Sequence, residues 1–160
     1  MRRSLRTVLT LAAASAATAV VMGSPASADP QPLIADPPVK NWGSYYSSNF
    51  KAKAKGTLKT HWNPAHSKND VRIKGKLYDL DFRTLQQGGK CAYVQIKVHH
   101  LYQPYWKWDY AKSYKLCNAG QVKHFTFWKH NVDKVRIRVS QIGKYSNNVV
   151  KRGPWHQINV

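Results

Sequence analysis

The sequence predicts an all-β protein, an antiparallel β-sandwich of about seven to eight short strands with one disulfide and a proline-rich N-terminal arm. Three observations predict this fold. Apolar and basic residues alternate with a period of two along several segments. Turn-forming residues separate these segments at intervals of about ten residues. No segment of the predicted domain shows a convincing helical period.

The chain has 160 residues, which allows one domain with an arm rather than two well-built domains. It divides into a predicted signal peptide at 1–28, an extended arm at 29–41 and a β-sandwich domain at 42–160. All 7 acidic residues are Asp. The lack of Glu excludes the acid–base mechanisms that depend on that side chain.

The N-terminal segment has the three parts of a secretory signal peptide. A basic start at 2–6 precedes the apolar segment 7–22, and residues 26–28 form the Ala-Ser-Ala cleavage signal. We therefore expect a secreted, extracellular protein with no stable membrane span, exported by the general or the twin-arginine route. Cleavage removes three arginines from the formal net charge of +19, which leaves +16.

Cys91 and Cys117 are the only cysteines. Cysteines of an exported domain normally pair in an oxidising compartment, so we predict a disulfide between these two. The alternative is a catalytic or metal-binding thiol, which the absence of a paired CxxC motif disfavours.

Proline defines the arm, because half of the 8 prolines lie between residues 30 and 38. Such a segment cannot form a helix or a central strand. A small apolar group lies within it, formed by Leu33, Ile34 and Ala35. Two interpretations stay open: a loose terminus or removed pro-segment, and an arm that docks into the groove or sheet edge of a partner protein.

The first clear alternation runs from Phe50 to Trp62, with Phe50 on the inward phase and Lys on the outward phase. The second runs from Val71 to Leu77. Its apolar phase then shifts to Leu80 and Phe82, as at a bulge or a bend between sheets. Further strands are predicted around 94–98, 122–128, 135–139 and 155–160.

Basic residues occupy many of the predicted outward strand positions. Outward Lys protects sheet edges, but the solubility of a small domain needs a net charge of only about 2 to 8. The excess predicts an anionic partner such as wall polymer, acidic polysaccharide, nucleic acid or anionic membrane. The predicted ligand-binding residues are Lys51, Lys53, Lys55, Lys59, Arg72, Lys74, Lys76, Lys97, Arg136 and Arg138.

One segment near the middle of the domain is dense in aromatic residues. Tyr102, Tyr105 and Tyr110 are candidates for a platform on which sugars or bases stack. Trp106 and Trp108 are instead expected in the core, because large apolar side chains are usually mostly buried.

No motif indicates a cofactor, a metal site or catalysis. The histidines lack the spacing of known zinc sites, and no nucleophile-elbow motif is present. We therefore predict a protein that is not an enzyme. A ribonuclease-like site stays an alternative, with His99, His100, Lys123 and His124 as its ingredients.

Five short motifs carry a resemblance: Val71-x-Ile73-x-Gly75, Asp79, Gly88-Gly89-Lys90-Cys91-Ala92-Tyr93-Val94, Cys117-Asn118-Ala119-Gly120 and Val135-Arg136-Ile137-Arg138-Val139. Together they resemble small secreted actinobacterial β-sandwich proteins. The chain is also similar in kind to the small β-sandwich subunit of umbrella-type antibacterial toxin particles. In those particles an N-terminal extension is thought to link the subunit to a lectin-like partner, which implies a comparable role for the arm.

The charge pattern makes a non-catalytic module that contacts anionic polymers the leading prediction. A structural adaptor subunit of a secreted antibacterial toxin particle is the alternative, and it depends on the arm. A small basic secreted nuclease is the second alternative.

Overall fold

The computed structural model describes residues 38–160, which form nine β-strands without a helix. The strands build two antiparallel sheets, and Cys91 is bonded to Cys117. The predicted all-β sandwich with one disulfide is therefore confirmed. The strands are β1 (Val39–Tyr46), β2 (Ala52–Trp62), β3 (Asn69–Asp79), β4 (Cys91–His100), β5 (Asp109–Leu116), β6 (Val122–His130), β7 (Val132–Ile142), β8 (Val149–Val150) and β9 (His156–Asn159).

The first sheet has the strand order β1-β2-β3-β6, and the second has the order β5-β4-β7. Both β8 and β9 pair with β7, so they act as one interrupted edge strand. The chain passes from one sheet to the other after β3, β5 and β6. The four strands of the first sheet therefore present one continuous outer face.

The sequence analysis did not predict β1, which begins before the domain boundary expected at residue 42. Val39 pairs with Lys59, so residues 39–41 belong to an edge strand rather than to the arm. Lys40 Nζ also donates a hydrogen bond to the carbonyl of Asn159, at 3.0 Å. The arm residues Leu33, Ile34 and Ala35 lie outside the described residues, as does the predicted signal peptide.

The core lies between the sheets and consists mainly of β-branched and leucine side chains. These residues occupy alternate positions, as the period of two predicted. Ala at two positions of β2 lets the sheets approach closely, and Trp42 and Phe125 add aromatic bulk near the sheet edges. The fully buried members include Leu58, Val71, Ile73, Leu77, Val94, Ile96, Val98, Val135, Ile137 and Val139.

Two local expectations were wrong. Phe50 does not face the core: it lies in the turn before β2 with φ of 58° and is exposed. The inward phase also does not shift to Leu80 and Phe82. Alternation continues through Asp79 and Asp81, both buried, and leaves Phe82 exposed. Two carboxyl groups therefore occupy positions that pattern alone assigns to apolar side chains.

The disulfide joins neighbouring strands at one end of the sandwich. Cys91 is the first residue of β4, and Cys117 follows the last residue of β5. Because β4 and β5 pair directly, the bond closes the open end of this pair. The opposite end of the same pair carries the loop 101–108.

Candidate functional site

The outer face of the first sheet carries a dense set of cations, which we call the lysine face. Lys55 of β2 lies directly opposite Lys76 of β3, and Thr57 lies opposite Lys74. Side chains directly opposite each other on antiparallel strands have Cβ atoms about 5 Å apart, and like charges there repel. The lysine face comprises Lys53, Lys55, Lys59, Arg72, Lys74 and Lys76.

Acidic side chains are scarce on this face. Asp70 lies at one end of β3, where its Oδ1 is 2.5 Å from His130 Nδ1. Among residues 38–160, no ion pair involves Lys55, Lys74 or Lys76. Within the described residues, no carboxylate therefore neutralises these three exposed ammonium groups.

Two adjoining depressions cross the lysine face, with volumes of about 320 and 340 Å³. They share Gly56, Thr57 and Lys76, so they form one shallow channel, which we call the transverse trough. The register of the lining residues shows that the trough runs across the strands rather than along them. Its other outward-facing lining residues are Asn41, Gly43 and Lys55 towards β1, and Lys74, His124 and Thr126 towards β6.

An aromatic ring flanks the lysine face on β6. Trp128 is partly exposed, and the Arg72 guanidinium lies 5.5 Å from its ring centroid. His61 lies 5.8 Å from the same ring. A flat ring beside cations can stack on a base or a sugar while the cations contact anionic groups.

Three of the other four predicted cations lie on the outer face of the second sheet, each beside an aromatic ring. The Arg136 guanidinium lies 4.0 Å from the Trp108 ring centroid, and that of Arg138 lies 4.4 Å from Trp155. Lys97 Nζ is 5.5 Å from the ring of Trp155. Burial, together with the nearby charge of Arg152, lowers the pKa of Arg138.

Glutamine side chains fix the same two guanidinium groups. Arg136 donates through Nε and Nη2 to Gln157 Oε1, at 3.2 and 3.1 Å. Arg138 donates in the same way to Gln95 Oε1, at 3.3 and 2.8 Å. The structure therefore places six of the predicted cations on the first sheet and three on the second. On the second sheet all three lie against a tryptophan ring, and on the first sheet Lys53 and Arg72 also lie against aromatic rings.

Lys51 belongs to neither sheet. It precedes β2 in a turn, and its Nζ is 3.5 Å from Asp81 Oδ1. The prediction that Lys51 lies on an outward strand position was wrong. Its partner belongs to a buried carboxyl pair that sequence reasoning missed.

Asp81 is the most heavily bonded side chain at the disulfide end. Arg83 donates two hydrogen bonds to it, each of 2.8 Å, and Gln141 Nε2 donates another of 3.0 Å. The Lys90 amide adds a fourth, at 3.1 Å. Chiefly because of Arg83, the pKa of Asp81 lies well below its usual range.

Asp79 behaves in the opposite way. Burial raises the pKa of its carboxyl group to about 6, although Oδ1 accepts a hydrogen bond from the Asp81 amide. Both carboxyl groups line a cavity of about 180 Å³ beside the disulfide. The signal in the sequence was the spacing: Asp79 and Asp81 continue the inward phase of Ile73 and Leu77.

The aromatic segment forms the loop between β4 and β5 and the start of β5. Tyr102, Tyr105 and Tyr110 are all strongly exposed. Trp106 is exposed as well, so its predicted place in the core was wrong, whereas Trp108 is partly buried against Arg136. The three tyrosines therefore present rings to solvent, which a stacking role requires.

The histidines of the nuclease alternative do not come together. His99 and His100 end β4, and His100 Nδ1 lies 3.0 Å from the carbonyl of His130 at the end of β6. His124 lies six residues before His130 on that strand, a separation of about 20 Å. Among residues 38–160, no group of three or more His, Cys, Asp or Glu is arranged to hold a metal ion.

No known family model matches this chain, and no curated protein matches it. Within residues 38–160 the structure has no helix with the length and hydropathy to cross a membrane.

Proposed function

We propose that the protein is a secreted, non-catalytic module that binds an anionic polymer along the lysine face. The observation that carries this proposal is the direct opposition of Lys55 and Lys76, with Lys74 beside them and no acidic partner for any of the three among residues 38–160. An opposed pair of like charges typically costs a sheet a few tenths of a kcal/mol to about 1 kcal/mol. A negatively charged ligand between the two lysines would offset their mutual repulsion, because both ammonium groups attract it.

The contacts of the cations differ between the two sheets, and this difference favours the lysine face as the binding surface. On the second sheet, Arg136 and Arg138 are held by tryptophan rings and glutamine carbonyls. On the first sheet, the ammonium groups of Lys55, Lys74 and Lys76 project over the transverse trough. Long, mobile ammonium side chains suit a repeating polyanion, because such a ligand needs charge contact and no fixed geometry.

The transverse trough indicates how the polymer lies. A chain that follows it crosses β1, β2, β3 and β6 in turn and passes between the rows of basic side chains. Thr57 and Thr126 offer hydroxyl groups within the trough. Phosphodiester polymers, including nucleic acid and wall polymer, and acidic polysaccharides share the closely spaced anions that this arrangement recognises.

The test compares two variants with the same loss of charge. The first replaces Lys55, Lys74 and Lys76 with Gln. The matched control replaces Lys112, Lys144 and Lys151, which lie outside the lysine face, with Gln. Binding to an oligo(dT) single strand, inorganic polyphosphate and purified wall polymer is measured across a salt series.

The lysine-face variant is expected to lose most of its affinity, and its plot of log K against log salt should flatten by about 2, since each single-strand contact contributes about 0.7. The control should retain the slope of the unmodified protein. Equal losses in both variants would show that net charge alone is responsible. No binding at low salt would refute the proposal outright.

A structural adaptor is the second candidate, and one observation favours it. β1 is an edge strand of the first sheet, and the arm leads directly into it at Val39. An edge strand can pair with the strand of another protein. Deleting residues 29–38 should abolish partner capture from the producer's culture supernatant and leave the free energy of unfolding unchanged; capture by the truncated protein would contradict this role.

A further inference from the structure

The loop between β4 and β5 presents its aromatic side chains outward. Tyr102 is 87% exposed, Tyr105 is 80% exposed and Trp106 is 70% exposed. The rings of Tyr105 and Trp106 meet edge to face, with centroids 5.2 Å apart. On a small domain, a contiguous patch of exposed apolar side chains indicates a site that contacts a protein or a membrane.

The polar side chains of the same region face inward and fix the base of the loop. Gln103 Nε2 donates to Asp109 Oδ2 at 2.9 Å, and Gln103 Oε1 accepts from the His100 amide at 3.4 Å. His99 Nε2 lies 3.1 Å from the carbonyl of Pro104. The polar groups therefore secure the backbone while the rings project, the reverse of the usual arrangement in a folded domain.

Tyr102 has a strained backbone conformation in this loop. Its φ is 69°, a left-handed conformation that is unfavourable for a bulky residue. The Tyr102 hydroxyl donates a hydrogen bond to the carbonyl of Ser67 at 3.0 Å, which links the loop to the turn between β2 and β3. The ring is thus held in an exposed position by a specific contact.

Positive charge accompanies the rings. Lys107 follows Trp106 directly, Lys68 follows Ser67, and both are exposed. The nearby carboxylates already have partners, because Asp109 accepts from Gln103 and Asp70 contacts His130. Cationic side chains therefore flank the exposed rings at this end of the sandwich.

We propose that the loop 101–108 docks the protein onto the surface of a bilayer that contains anionic lipids. Tyr and Trp prefer the interface between water and acyl chains, where the ring is buried and its polar group stays hydrated. Lys68 and Lys107 would then contact the phosphates of the headgroups. A protruding loop fits a flat membrane, whereas small ligands such as single sugars occupy concave sites. This surface is separate from the lysine face and does not depend on polymer binding.

The test measures co-sedimentation of the full chain with vesicles of equal parts phosphatidylglycerol and phosphatidylcholine. One variant replaces Tyr102, Tyr105 and Trp106 with Ser. The matched control replaces three equally exposed rings elsewhere, Phe50 at 70%, Phe82 at 76% and Tyr145 at 85%, with Ser. A third variant, Trp106→Ser alone, leaves the hydrogen bond of Tyr102 intact, and urea unfolding checks that every variant is folded.

The loop variant is expected to bind vesicles about tenfold or more weakly than the control, with Trp106→Ser intermediate. All variants should bind oligo(dT) equally, because the lysine face is unchanged. Equal vesicle binding by the loop and control variants would overturn the proposal, as would failure of the unmodified protein to bind vesicles. The proposal would also be overturned if the loop variant kept its vesicle binding but lost binding to an insoluble neutral polysaccharide. That result would indicate that the loop binds carbohydrate.

Discussion

Gly56 of β2 lies directly opposite Gly75 of β3, and aromatic rings from the two flanking strands fill the space beneath them. Trp42 pairs with Gly56, and Phe125 pairs with Gly75, so four residues form one row across the first sheet. A Cβ atom at Gly56 would lie 2.6 Å from Trp42 Cζ2, and one at Gly75 would lie 2.1 Å from Phe125 Cζ. The two rings can lie against the sheet only because both glycines lack a side chain.

Gly75→Ala should therefore destabilise the fold. The added methyl group displaces the Phe125 ring, which is stacked on Tyr114 with centroids 4.3 Å apart. We expect a loss of about 2 kcal/mol in the free energy of unfolding, measured with urea. Thr57→Ala on the outer face is the control and should change little. Combining Gly75→Ala with Phe125→Leu should recover part of the loss; strictly additive effects would contradict this explanation.

Asp79 should give the protein an unusual pH dependence. Its pKa rises from 3.8 to about 6 on folding. Between these values the folded protein holds a proton that the unfolded chain has released, so the contribution of Asp79 to stability decreases as pH rises through this window. In urea unfolding across the window, Asp79→Asn should remove this contribution and leave the protein at least as stable above pH 6. A variant that kept the full decrease would contradict the assignment.

Asp81 should have the opposite effect. Its pKa is lowered on folding, so its stabilising contribution is present above the ordinary Asp pKa of 3.8 and is lost as pH falls below that value. Asp81→Asn removes an acceptor shared by Arg83, Gln141 and the Lys90 amide. We expect a loss of about 2 kcal/mol at neutral pH, measured by urea unfolding. The difference in free energy of unfolding between Asp81→Asn and the unmodified protein should become smaller as pH falls below 3.8. A difference that stayed constant with pH would contradict this prediction.

Arg138 and Lys74 should separate stability from binding. Arg138→Gln removes a guanidinium stacked on Trp155 and should lower the free energy of unfolding by about 1 kcal/mol, with little effect on polymer affinity. Lys74→Gln should leave stability nearly unchanged and reduce the salt slope of binding by about 0.7. Urea unfolding and a salt titration of each variant measure both quantities. A larger change in salt slope for Arg138→Gln than for Lys74→Gln would indicate that the polymer binds the second sheet instead of the lysine face.

Removal of the disulfide should lower the free energy of unfolding but should not alter the lysine face. Cys91 and Cys117 are 26 residues apart, for which chain entropy predicts a loss of about 3.5 kcal/mol. The double variant Cys91→Ser, Cys117→Ser should show that loss in urea. Polymer affinity measured well below the unfolding transition should persist, because the lysine face belongs to the other sheet. Loss of affinity in the folded variant would contradict this prediction.

Alternation of side chains was enough to predict the sandwich, because burial of one face imposes a period of two on every strand. The same rule placed Val94, Ile96 and Val98 in the core, where the structure has them. Alternation also continues through Asp79 and Asp81, but the sequence analysis did not assign them inward, since Asp residues lie mostly in turns and at the surface. Burial of Asp81 depends on Gln141, 60 residues away in sequence, and no local signal gives that contact.

The candidate site was predictable in part. The basic character of β2 and β3 was visible in the sequence, but the opposition of Lys55 and Lys76 depends on strand register, which the sequence does not state. The contacts of Arg136 with Trp108 and of Arg138 with Trp155 could not be predicted either, because each depends on strand pairing between segments that are distant in sequence. Trp106 was misplaced because residue size predicts burial only on average, and a loop fixed by Gln103 and His99 is an exception.

The opposed lysines also give salt two contrary effects on the protein. Dissolved ions screen the repulsion between Lys55 and Lys76, so the melting temperature of the ligand-free protein should rise with ionic strength. The same ions compete with a polymer for those side chains, so complex formation should weaken over the same range. Under the proposed function, the ligand-free protein is therefore least stable at the low ionic strength at which it should bind the polymer most tightly. The bound polyanion would then screen the lysine pair in place of dissolved ions.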